Sequence, residues 1–201
     1  MGTLLKVFPT LILDTFVNEC EEINPLLEEE AYFFQQNFSK THNWRCDTYS
    51  SIGLHPLENG NNVDVSKKLL NILSEKVFEY LIEYGVDLSK SNISCDEYWF
   101  NIASSGQYQE YHQHHGSDIS VVYYVKANDQ SGNIVFKSFE SLTCHTLKNI
   151  RHSETNANTI SFDPIPGRVL VFKSNLLHMV EKNLSNEDRI SIALNFRVID
   201  K

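Results

Sequence analysis

From Ile93 to the C-terminus, hydrophobic and polar residues alternate in short runs separated by Gly, Asn and Asp. This spacing predicts strands over 97–103, 108–114, 119–126, 132–137, 159–162, 168–172 and 189–198. The last run is the most informative. Arg189, Ser191, Ala193, Asn195 and Arg197 fall on one face, and Ile190, Ile192, Leu194, Phe196 and Val198 on the other. In an open sheet the polar face would meet water. In a ligand-binding barrel it lines the cavity while helices cover the apolar face. Many short strands with such turns read as a barrel or sandwich.

The N-terminal part follows other periods. LLKVFPTLIL over 4–13 reads as a strand, and 17–38 as a helix whose acidic run Glu28-Glu29-Glu30 is a solvated face. Residues 39–62, rich in Asn, Ser, Thr and Gly, read as loop. The clearest helix is 65–84: Leu69, Leu70, Leu73, Val77, Phe78, Leu81 and Ile82 recur at three- and four-residue steps, and Gly85 suits its C-terminal cap. That helix is available to cover the apolar side of the sheet. No repeat or second domain is evident. The chain reads as one domain over 1–201, with an N-terminal strand and covering helices over 1–92 and a β core over 93–201.

Composition narrows the possibilities. The 201 residues suffice for a real core, and 41% hydrophobic and 21% charged residues are ordinary for a soluble globular protein. A net charge of −9 disfavours binding to duplex nucleic acid, which needs Lys and Arg to neutralise phosphates. Cys20, Cys46, Cys95 and Cys144 form no CxxC pair, which fits free thiols in a reducing compartment. The N-terminus lacks a signal-peptide pattern, Lys6 stands where a myristoylation signal needs Ser or Thr, and no stretch has the length of a membrane span. A cytoplasmic location is expected.

The chemistry concentrates around histidine. His112 and His114 share a strand face while His115 points away, and a His pair of this kind is half of a metal site. Gly106 precedes it, and His178 follows the Gly-led run Gly167–Phe172 as a candidate third ligand. Each has a plainer reading, a chance pair for His112/His114 and a buried hydrogen-bonded residue for His178. Arg189, eleven residues after His178, carries a planar fork suited to a carboxylate, or else pairs with Glu187 or Asp188. Its shared face with Ser191 and Asn195 favours an inward role, and Tyr124 is a candidate hydroxyl donor. A metal with open positions beside a carboxylate clamp points to redox chemistry using a small keto acid. The polar segment 137–158, with His145, Arg151 and His152, reads as a substrate lid or a plain surface loop.

These stretches resemble the Fe(II)- and 2-oxoglutarate-dependent oxygenase superfamily, and within it a prolyl-hydroxylase-like family of bacteria and phages. The resemblance runs through Trp99-Phe-Asn-Ile-Ala, Gly106 to Ser117, Ile119 to Val125, Gly132 to Phe136, Pro166 to Phe172, His178-Met-Val and Arg189 to Asn195, about half of the chain. It implies a mainly β fold with flanking α-helices, the double-stranded β-helix (a jelly-roll, cupin-like barrel). It further implies Fe(II) on His112, His114 and His178, and 2-oxoglutarate held at its distal carboxylate by Arg189 and Ser191, with Tyr124 and Asn195 as further candidates for binding the oxo acid. The activity implied is a dioxygenase that hydroxylates a second substrate while 2-oxoglutarate and O2 become succinate and CO2. One departure stands out: the superfamily usually has Asp or Glu where His114 stands. Three neutral imidazoles leave the metal about one charge more positive, with Asp118 a minor alternative ligand.

Two other readings remain. Gly106, His112, His114 and Asp118 fit the first motif of a cupin, but Gly167 to His178 is too long for the second. A non-catalytic barrel holding zinc on three histidines is the other.

Overall fold

The computed structural model describes residues 3, 9–42, 45–139 and 157–201. In chain order the elements are β1 (Ile12–Phe16), α1 (Cys20–Asn37), β2 (Tyr49–Ser50), α2 (Pro56–Asn59), α3 (Val63–Tyr84), β3 (Ser91–Ala103), β4 (Gln109–His112), β5 (Ile119–Lys126), β6 (Ile134–Lys137), β7 (Thr159–Phe162), β8 (Arg168–Lys173), β9 (His178–Val180) and β10 (Arg189–Asp200). All pairings are antiparallel and form two sheets, one ordered β1-β8-β5-β10-β3-β2 and the other β4-β9-β6-β7. From β3 to β10 the chain passes back and forth between them. This is the mainly β, double-stranded β-helix architecture with helices outside.

The alternation in β10 sets the layers. Ile190, Ile192, Leu194 and Phe196 belong to a core shared with Leu27, Ala31 and Phe34 of α1 and Leu69, Leu73 and Val77 of α3. The two helices therefore cover the outer face of the larger sheet. Each such side chain, fully buried, contributes roughly 1.5–3 kcal/mol. Asn62 caps α3 by accepting from Val65 N–H at 3.3 Å, and Gly85 ends it in the left-handed region at φ 93°. A second apolar cluster, Ile134, Phe136, Leu170, Phe172, Leu176 and Val180, draws on β6, β8 and β9 and plugs one part of the space between the sheets.

Several details differ from the sequence reading. The first strand is Ile12–Phe16; residues 4–8 lie outside the described ones. Phe78 and Ile82 of α3 are exposed, at 40% and 62%, so the buried stripe is narrower than the periodicity suggests. The 39–62 loop contains β2 and α2, and His178 opens a strand of its own. The proposed lid over 137–158 falls mostly on residues 140–156, outside the described ones. Among the described residues, no helix is long and apolar enough to cross a membrane.

Candidate active site

Strand register assembles the three histidines. His112 ends β4 and His178 opens β9, and the two are direct partners across the pairing. His114 lies just past β4, where its backbone N–H donates to Ser174 O at 2.9 Å. Ring centroids are 4.2 Å apart for His112 and His178, 5.3 Å for His112 and His114, and 5.1 Å for His114 and His178. One ligand nitrogen from each lies within 4.8 Å of the other two.

Hydrogen bonds determine which nitrogen each ring presents. Nδ1 of His112 sits 2.6 Å from Glu110 O, and Nδ1 of His178 2.8 Å from Leu176 O. Carbonyl oxygens only accept, so both Nδ1 atoms carry the proton and both Nε2 atoms keep the lone pair a metal needs. Nδ1 of His114 faces Asn195 Oδ1 at 2.7 Å. Phe136 and Phe172 press on His178, with centroids 5.8 Å and 5.0 Å away. Burial pushes the His112 pKa down to about 4 and lowers those of His114 and His178, so all three are neutral at neutral pH. Asp118 is not in this group; its carboxylate accepts from Val198 N–H at 2.8 Å instead. His115 lines the cavity without joining the cluster.

The histidines face a cavity of about 210 Å³ between the sheets, far above the ~15 Å³ one water needs. Its floor is a grid set by register. Ser50, Asn101, Ser191 and Tyr124 are successive partners across β2, β3, β10 and β5 and form a polar row. Trp99, Ala193 and Val122 form an apolar row beside it, then Glu97 and Asn195 a second polar one, with Ser120 beyond Asn195. Arg189 lines the cavity beyond the first polar row.

Arg189 is 3% exposed. Its Nη1 donates to the backbone carbonyls of Ser131, Gly132 and Glu181, the last at 3.1 Å. Among the described residues no carboxylate pairs with it, and Asp188 instead accepts from the Tyr32 hydroxyl at 3.0 Å. The salt-bridge reading of Arg189 is thus replaced by a buried guanidinium beside a cavity. The Tyr124 hydroxyl is buried without a hydrogen-bond partner among the described residues, and burial pushes its pKa up to about 12. A buried cation without an anion is costly, and a carboxylate in the cavity would relieve it. Ser191 lines the same cavity, whereas Asn195 points its amide oxygen at His114.

Four further residues were given no site role from the sequence, although Trp99 and Asn101 lie in a stretch that carries the family resemblance. Ser50, Glu97, Asn101 and Trp99 all line the cavity, and the buried Oδ1 of Asn101 has no partner among the described residues. Only β3 alternation hinted at three of them, since 97, 99 and 101 share a face with the cavity side of β10.

Comparison with known proteins agrees with this fold. A family model described as "Putative 2OG-Fe(II) oxygenase" matches residues 97–195. No curated protein matches the chain. Among solved structures, a Pseudomonas putida prolyl-4-hydroxylase is similar at 14% identity and a TM-score of 0.63, covering 94% of this chain and 92% of that one. A Trichoplax adhaerens prolyl hydroxylase in complex with a hypoxia inducible factor peptide fragment aligns at 17% identity and 0.62, covering 96% and 84%. HygX from Streptomyces hygroscopicus, with nickel and 2-oxoglutarate bound, aligns at 11% and 0.59, covering 94% and 83%. Such low identities carry the fold.

Proposed function

This chain belongs to the Fe(II)- and 2-oxoglutarate-dependent oxygenases, and we propose that His112, His114 and His178 hold its iron while Arg189, Tyr124 and Ser191 hold its 2-oxoglutarate. The superfamily uses Fe(II), 2-oxoglutarate and O2, so the chain is a dioxygenase that oxidises a second substrate. When bound, iron and the oxo acid supply the reduction of O2 coupled to decarboxylation of 2-oxoglutarate to succinate.

One observation carries the residue assignment. Three neutral imidazoles with their Nδ1 atoms hydrogen-bonded share a single cavity with a buried guanidinium that has no carboxylate partner among the described residues. The donor set suits a divalent metal, and the fork of Arg189 suits a carboxylate. The apolar row of Trp99, Ala193 and Val122 suits the methylenes between them. Three carbonyls aim the guanidinium, the Tyr124 hydroxyl adds a donor, and Phe136 and Phe172 keep water from His178. The cupin reading is set aside, because the family match spans both the His112-x-His114 pair and His178.

The test is succinate release from 2-oxoglutarate by purified protein with Fe(II) and O2. Turnover is expected to need all three histidines and Arg189. Full turnover by His112→Ala or His178→Ala would overturn the assignment.

A further inference from the structure

The superfamily's usual metal-binding carboxylate is missing here, yet a carboxylate stands one residue behind the histidine that replaces it. Asn195 Nδ2 donates to Glu97 Oε2, and Asn195 Oδ1 faces His114 Nδ1 at 2.7 Å. The two are linked by register, since Asn195 and Glu97 are direct partners in the β10–β3 ladder. Ser120 Oγ donates to the same Oδ1 at 2.7 Å and contacts Ser174 Oγ at 2.9 Å. Asn195 is 2% exposed and Ser120 fully buried, so the link at His114 is shielded from bulk water, while Glu97 at its far end is half-buried at the cavity wall.

The direction of each bond follows from chemistry. A carboxylate only accepts, so Glu97 fixes the amide of Asn195 with its NH2 outward and its oxygen toward the imidazole. An oxygen facing Nδ1 needs a proton there, which leaves the lone pair of His114 on Nε2. Flipping the amide would put two NH groups against each other at Nδ1 and leave Glu97 facing an oxygen.

Building on the three-histidine metal site proposed above, we propose that Glu97, acting through Asn195, is the positioning residue that sets the tautomer of His114 and supplies from outside the ligand shell the negative charge that a metal-bound carboxylate would give. Iron-bound imidazole becomes a stronger ligand as its Nδ1–H is drawn toward an anion, as in carboxylate–histidine–metal arrangements. The bond to Asn195 passes that polarisation on. A three-histidine site thereby keeps a carboxylate, moved two hydrogen bonds away from the metal.

The test is an anaerobic absorption titration of the metal-free protein with Co(II), which reports affinity and band position without turnover. Glu97→Gln keeps the shape and removes the charge; Asn195→Ala breaks the relay and leaves the charge. Each is expected to weaken Co(II) binding about 10–100-fold and to shift the band, with the double variant no worse than the more severe single one. In a His114→Asp background, where the carboxylate returns to the metal, Glu97→Gln should cost less than about threefold. Unfolding of the metal-free variants checks that they fold. Wild-type affinity in both single variants, alongside loss of binding in His178→Ala, overturns the relay and leaves the site intact. An equal cost of Glu97→Gln in the His114→Asp background overturns the charge-replacement role. Undiminished binding in both His112→Ala and His178→Ala overturns the site itself, and the relay with it.

Discussion

His112 and His178 are direct partners in the β4–β9 ladder, with ring centroids 4.2 Å apart. Two of the three proposed ligands are thus set by sheet register, and the third follows two residues later. Their separation is therefore held by backbone hydrogen bonds, and little ordering is left for the metal to impose. Ni(II), an O2-inert stand-in, should stabilise the folded protein by about 2.7 kcal/mol at a hundredfold excess over its Kd. The shift in thermal midpoint should vanish in His112→Ala and in His178→Ala. A retained shift in both would place the metal elsewhere.

Tyr124 offers a test in which stability and binding move in opposite directions. Its buried hydroxyl has no partner among the described residues, so Tyr124→Phe should leave the ligand-free fold as stable or raise it by about 1 kcal/mol. A hydrogen bond to a charged group is typically worth about 1.5–3 kcal/mol, so 2-oxoglutarate affinity should fall about 10–100-fold. Calorimetric titration of 2-oxoglutarate into the metal-loaded protein, paired with urea denaturation, reads both. Unchanged affinity would remove Tyr124 from the site.

Gly132 lies at φ 80°, and a Cβ there would come within 2.6 Å of the carbonyl oxygens of Glu181 and Lys182. Glu181 O and Gly132 O are two of the three acceptors that aim Arg189. The left-handed conformation alone costs Ala roughly 1–2 kcal/mol, and the close contacts add to that. Gly132→Ala should therefore lower stability and weaken 2-oxoglutarate binding, while metal binding at the proposed histidine site, which meets β10 at Asn195 and not at Arg189, should be unchanged. Equal losses of metal and oxo acid would show instead that the whole barrel had loosened.

How much of this was readable without the structure depended on range. Strand β5 keeps the bounds 119–126 read from the sequence, and the inward face of β10 was legible because its two faces alternate through five repeats of the pleat, from Arg189 to Val198. Strand β9 has only three residues, and His178 between Leu177 and Met179 shows no period. The helical stripe of α3 was overdrawn because a 3.6-residue period gives direction but not width, and Phe78 and Ile82 stand exposed beside the buried stripe of Leu69, Leu73, Val77 and Leu81. Asn195 was placed on the correct face but given to the oxo acid, whereas its amide oxygen faces His114. The pairing of Asn195 with both Glu97 and Ser120 joins strands far apart in the chain, and no local pattern encodes that.

The histidines also set how the metal-free protein responds to acid. His112 has a folded pKa of about 4, against about 6.5 for an unperturbed histidine, because burial disfavours its charged form. Between those values the unfolded chain binds a proton that the folded one does not, so stability falls as pH drops through this window. The loss begins near pH 6.5, where the unfolded side chain starts to protonate, and this residue adds nothing more below about 4. Each such histidine contributes at most about 1.4 kcal/mol per pH unit. His114 and His178 shift in the same direction and steepen the fall. Urea midpoints of metal-free protein at several pH values from 7.5 down to 4.5 should decline, and less steeply in His112→Gln. Saturating Ni(II) should hold the upper part of the curve flat, since metal binds only the neutral rings and competes with their protonation. Parallel curves for wild type and His112→Gln would mean that His112 is protonated in the fold as readily as in solution, contrary to its place among the three rings.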